Sequence, residues 1–159
     1  MKTGIGLVGA SLVVALTGCS GSDVSTSGGP QTPSDGSYTY LAASAGGGAA
    51  AAALEINGTA ITLTQETGTT TATIGDPAQE AILCPPSGKG RPLTITAPLT
   101  IGTVALTSPA IFGDCGLVKP TRVTVIDLDS FDKAGGPFGF TRWVEFCNIT
   151  DPDCQTPSG

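Results

Sequence analysis

Leu54-Glu55-Ile56-Asn57-Gly58-Thr59-Ala60-Ile61-Thr62-Leu63-Thr64 decides how the chain is read. Leu54 and Ile56, then Ile61 and Leu63, fall on every second residue with polar or small residues between them. That is the period of a strand with one buried face. Asn57-Gly58 between the two runs supplies the positive φ angles of a tight hairpin turn. Downstream, Glu66-Thr67-Gly68 separates the second run from Thr71-Ala72-Thr73-Ile74, which alternates in the same way. The pattern predicts a three-stranded meander over about residues 52–75.

Outward from the meander the same signals recur. Further strands are expected over residues 38–43, 80–84, 93–97, 99–106, 121–128 and 138–147. Pro85-Pro86, Pro98, Pro109, Pro120 and Pro137 stand at or beyond the ends of these runs, where a missing N–H costs no ladder bond. No long stretch has helical periodicity. The expected fold class is all-β, an antiparallel β-sandwich or a small barrel. The Ala- and Gly-rich residues 42–53 stand apart and are expected to form a loop, because Gly46-Gly47-Gly48 opposes helix initiation.

Composition limits what this domain can do. The chain has 159 residues, of which 40% are hydrophobic and 13% charged, so one folded domain with a modest core is expected. Thirteen acidic residues outweigh seven basic ones. With the cations scattered, nucleic acid is a poor partner, since a phosphate backbone demands a basic patch. There is no His, which removes the commonest general base and metal ligand at neutral pH.

The N-terminus has a different character. Lys2 precedes an apolar run from Ile5 to Leu16, followed by small residues, the layout of a secretory signal. About a dozen apolar residues are too few for a bilayer core that needs about 20. Leu16-Thr17-Gly18-Cys19 closes the run and resembles the lipobox of bacterial lipoproteins, a resemblance confined to the first twenty residues or so. It implies that residues 1–18 are a cleaved signal peptide and that Cys19 carries a diacylglyceryl group, often joined by an amide-linked chain such as palmitate. Two or three chains at about 0.8 kcal/mol per buried CH₂ make a stable membrane anchor. By the same analogy Ser20, in place of an Asp that retains lipoproteins at the inner membrane, favours the outer membrane of a Gram-negative envelope. Residues 19–37, rich in Ser, Gly, Thr, Pro and Asp, then form a flexible linker, and 38–159 a single β domain.

Four further cysteines remain: Cys84, Cys115, Cys147 and Cys154. An even count in an exported chain suggests two disulfides with three possible pairings. Cys84 with Cys115 and Cys147 with Cys154 are favoured, the latter spanning a turn at Asp151-Pro152. No Cys-x-x-Cys pair supports a zinc site. Ser87-Gly88-Lys89-Gly90-Arg91 lacks the spacing of a phosphate loop and reads as a basic surface loop.

Asp127, Asp129 and Asp132 gather at the end of Val123-Thr124-Val125-Ile126 and are a candidate calcium loop. Phe131 and Phe138 break the EF-hand pattern, so a solvated loop is expected, with Asp127 or Asp129 pairing Arg142. Glu55, Glu66, Glu80 and Glu145 are the remaining candidates for carboxylate chemistry, without any spacing that brings two together. Asn57-Gly58-Thr59 and Asn148-Ile149-Thr150 match the N-glycosylation triplet, to which an exported bacterial chain attaches no function. The expected function is a non-catalytic envelope module, without cofactor, that binds a protein, glycan or lipid. The alternatives are a small hydrolase or metal-dependent enzyme using the acidic loop, and a purely structural envelope component.

Overall fold

The Asn57-Gly58 turn forms as its sequence requires, with Gly58 at φ 57°, where a side chain would be strained. The structure, a computed structural model, describes residues 27–28, 33–44, 51–83, 89–113, 121–132 and 139–154. On either side of the turn, β2 (Ala52–Asn57) and β3 (Ala60–Gln65) pair Leu54 with Leu63 and Ile56 with Ile61. All four side chains are buried, as alternation demands. The next strand, β4 (Gly68–Pro77), completes the meander. On its outer face Thr71 lies opposite Thr62 and Thr69 opposite Thr64, so that wall presents hydroxyl and methyl groups.

Six more strands follow the same logic. They are β5 (Leu93–Ile95), β6 (Leu99–Ile101), β7 (Val104–Leu106), β8 (Pro109–Gly113), β9 (Arg122–Asp127) and β10 (Trp143–Asn148), with β1 (Gly36–Ala43) preceding the meander. Eight of them close an antiparallel barrel in the order β8-β9-β10-β1-β2-β3-β4-β5, sealed by β5 against β8. Closure pairs every edge, which a sandwich would leave open. A small additional sheet joins Ser27–Gly28, Lys89–Gly90 and Ile82–Leu83.

The remaining pair, β6 and β7, is a separate hairpin turning at Gly102, φ 59°. It leaves the barrel after β5 and returns to it at β8, so both its stems sit at one end. Leu99, Ile101, Val104 and Leu106 are 2%, 2%, 6% and 1% exposed and pack in the same cluster as the inward-facing Leu54, Ile61, Leu63, Ile111, Val125, Val144 and Phe146. The hairpin therefore folds across that end of the barrel and stoppers it. Gln65, at the same end of β3, fastens the stopper at two points. Its Nε2 donates to Thr100 O at 2.9 Å and its Oε1 accepts from Gly102 N at 2.8 Å.

A second apolar cluster lies outside the barrel wall. Ala110, Phe112 and Ile126 face outward from β8 and β9 and are covered by Phe140, with Ile82, Leu128 and Trp143 packed beside them. Both strands are thus buried on both faces, which accounts for the continuous burial from Pro109 to Gly113 and from Val123 to Asp127.

Several sequence expectations need correction. Residues 99–106 are two strands and a turn. The expected strand over 138–147 begins only at Trp143, Phe140 making an isolated bridge to Phe131. Among the described residues of the 80–84 run, only Ile82–Leu83 is a strand. The strand expected from 38 starts earlier: β1 opens at Gly36, Pro33 is buried, and Tyr38 Oη donates to Ser34 O at 2.6 Å. The ends of the 42–53 run belong to β1 and β2, while residues 45–50 lie outside the described residues.

Cys147 and Cys154 are joined, with Cα atoms 5.7 Å apart, across the short 3-10 turn Pro152–Cys154. The bond closes a loop with a sequence separation of 7, which the loop-entropy relation values at about 2 to 3 kcal/mol. A C147A/C154A variant is expected to lose about that much stability, measured by calorimetry beside the wild type. A difference below about 0.5 kcal/mol would show that the bond does not restrain the unfolded chain. The Cys84 and Cys115 pairing lies outside the described residues.

Candidate functional site

Strand β9 buries Val123, Val125 and Ile126 and ends at Asp127, a carboxylate that is 0% exposed. Burial of an unpaired carboxylate is costly, so this group must be surrounded by donors. Arg142, just before β10, supplies two: Nε donates to Oδ2 at 2.8 Å and Nη2 lies 2.7 Å from the same oxygen. The chain returning from the hairpin supplies three more, with Thr107 N at 3.3 Å, Thr107 Oγ1 at 3.2 Å and Ser108 N at 3.1 Å. Asp129 N, in the 3-10 turn Leu128–Ser130 that follows β9, donates to Oδ1 at 3.2 Å.

Burial pushes Asp127 toward the neutral form, but the Arg142 guanidinium and the amides of Ser108, Thr107 and Asp129 more than reverse this. The carboxyl is held below its ordinary value. Around it the polar node continues outward. Ser108 Oγ donates to Asp129 Oδ2 at 2.6 Å, Ser130 Oγ donates to Asp127 O at 2.7 Å, and Arg142 N donates to Ser130 Oγ at 3.1 Å. Thus Asp127 ties together three segments at the stoppered end: the hairpin exit, the β9 terminus and the β10 approach.

The three acidic residues do not converge. The strand ends at Asp127 rather than continuing through Asp129, which enters the 3-10 turn and meets Ser108. Asp132 is exposed, and its backbone N–H goes to Gly139 O at 2.7 Å. Among the described residues no three His, Cys, Asp or Glu side chains are grouped to hold a metal ion. Arg142 falls within the expected 138–147 run but is not part of the strand that forms there. It precedes β10, and its guanidinium turns to Asp127.

The other candidate carboxylates are dispersed. Glu55 is on the outer face of β2, Glu66 in the β3–β4 turn, and Glu80 exposed beyond β4. Glu145 on β10 lies 3.6 Å from Arg122 on β9. Ser87 and Gly88 lie outside the described residues, as does Cys19, while Arg91 is exposed. Asn57 is exposed, and Asn148 Oδ1 accepts from Thr150 N and Oγ1 at 2.9 and 2.7 Å. Spacing alone missed Gln65, Thr107 and Ser108, because their importance depends on the hairpin being seated. No family model matches the chain, and neither a curated protein nor a solved structure does.

Proposed function

We propose that the protein is a lipid-anchored envelope lipoprotein whose barrel is a non-catalytic binding or structural module. The observation that carries this reading is Leu16-Thr17-Gly18-Cys19 behind an apolar run, a sequence in which the thiol is the acylated group. Asp127, the most buried carboxylate among the described residues, is spent on Arg142 and on the amides of the hairpin exit, where it serves cohesion. The threonine-covered wall of β3 and β4 offers hydrogen-bonding groups on regular strands, a surface suited to contact with another envelope component.

In this reading Cys19→Ser moves the protein from the detergent phase to the aqueous phase, or leaves it uncleaved at the membrane. Mass spectrometry of the native N-terminus is expected to find acyl chains on Cys19. A mature protein beginning elsewhere, or carrying no acyl chain, would overturn the anchor. Crosslinking and pull-down from the native envelope identify the partner.

A further inference from the structure

Asn57-Gly58 is a turn sequence with a chemical hazard. The Gly backbone nitrogen can attack the Asn side-chain carbonyl carbon. The N–Cγ bond forms, the bond from Cγ to the amide nitrogen breaks, and ammonia leaves with the proton that the backbone gave up. The product is a cyclic succinimide, which water opens to Asp or isoaspartate. Water is the only co-reactant, and nothing is oxidised or reduced. The attacking species is the deprotonated amide, so the rate depends on what surrounds that N–H.

Here the N–H is occupied. Gly58 N donates to Asp35 Oδ1 at 2.7 Å, from a residue 23 positions earlier in the chain. Asn57, Gly58 and Thr59 are all exposed, so water reaches the turn. Asp35 is held in place on both sides. Pro33 is buried, Tyr38 Oη fixes Ser34 O at 2.6 Å, and Gly36 opens β1 opposite Ile56 of β2. The contact is thus built by the folded barrel and is lost when the chain unfolds.

We propose that Asn57 is a spontaneous deamidation site and that Asp35 holds it in check. The carboxylate binds the N–H whose loss starts the reaction, and it places a negative charge beside the nitrogen that would become negative. Two unit charges at this separation cost each other about a factor of ten in equilibrium in water. The consequence of failure is structural. Isoaspartate inserts a methylene into the main chain at the turn that sets the β2–β3 register, and either product adds a negative charge to the turn that Asp35 binds.

The experiment uses the purified full chain in mildly alkaline buffer, with peptide mapping and isoaspartate detection at Asn57. Folded wild type is expected to deamidate at least tenfold more slowly than the same chain in urea. Asp35→Ser keeps an acceptor oxygen, removes the charge and creates no second Asn-Gly pair beside Gly36. It is expected to accelerate the reaction about tenfold while Ile56 and Ile61 amides stay protected from hydrogen exchange. Asn57→Gln should abolish the modification at this position. An Asp35→Ser rate equal to or below that of wild type, or a folded wild type as fast as the urea-unfolded chain, would overturn the proposal. The wild-type comparison stands even where the variant folds poorly.

Discussion

Asp127→Ala is expected to destabilise the barrel by about 3 kcal/mol, at about 1 kcal/mol for each of three backbone amides left without its acceptor. The Arg142 side chain is 43% exposed, so the freed guanidinium can be hydrated and contributes little to that loss. The cost falls on the Thr107, Ser108 and Asp129 amides, which lose the acceptor that gathers them. At roughly 4 °C per kcal/mol for a domain of this size, the melting temperature should drop by about 12 °C. The wild type carries a matching pH signature. Asp127 is held below its ordinary 3.8, so its stabilisation is complete above the unfolded value and is lost as pH falls through the lower folded value. Asp127→Asn should flatten that acid limb of the stability curve. A variant as stable as wild type, with the same acid limb, would show that the node contributes nothing to folding.

Leu106→Ala, inside the stopper, should cost about 3 to 4 kcal/mol, since a nearly inaccessible leucine is replaced by a cavity. Ala105, its neighbour on the exposed face of β7, provides the contrast. Ala105→Ser is expected to stay within about 0.5 kcal/mol of wild type. Asp127→Ala and Leu106→Ala act on the same hairpin, so their effects should couple rather than add. Urea titration of the two single variants and the double variant measures this. A Leu106→Ala cost below about 1 kcal/mol would mean that the hairpin is no part of the core.

Much of the wall was legible in the chain because alternation and turn chemistry are local. Leu54, Ile56, Asn57-Gly58, Ile61 and Leu63 specify a hairpin without reference to anything distant. Closure was not legible, since the period of a strand does not name its partner, and barrel and sandwich share the same local pattern. The hairpin over 99–106 had a trace in the sequence. Leu99 and Ile101 are odd-numbered whereas Val104 and Leu106 are even, and that change of phase at Gly102-Thr103 marks the turn. Phe140, Arg142, Val144 and Phe146 keep one phase, yet the chain bends before Trp143, so phase alone does not show that Arg142 leaves the strand. Asp127 could be singled out as a carboxylate ending an apolar strand, and pairing with Arg142 was foreseeable from charge. That its other partners are the amides of Thr107 and Ser108 depends on how the stopper is seated, which is a tertiary fact.

The seam between β1 and β10 has a kinetic consequence. Tyr38 pairs with Asn148, and Tyr40 with Phe146, so the first and last strands of the barrel meet across more than a hundred residues of chain. Contacts of such separation are reached slowly, because the entropy of closing the loop must be met before they form. A chain emerging N-terminus first can assemble the β1-to-β4 meander early, yet β1 keeps an open edge until β10 arrives. Until then that edge is a template for pairing with another molecule. The last strand therefore acts as a time-keeper. The interval before Trp143–Asn148 is delivered is the period in which aggregation competes with folding.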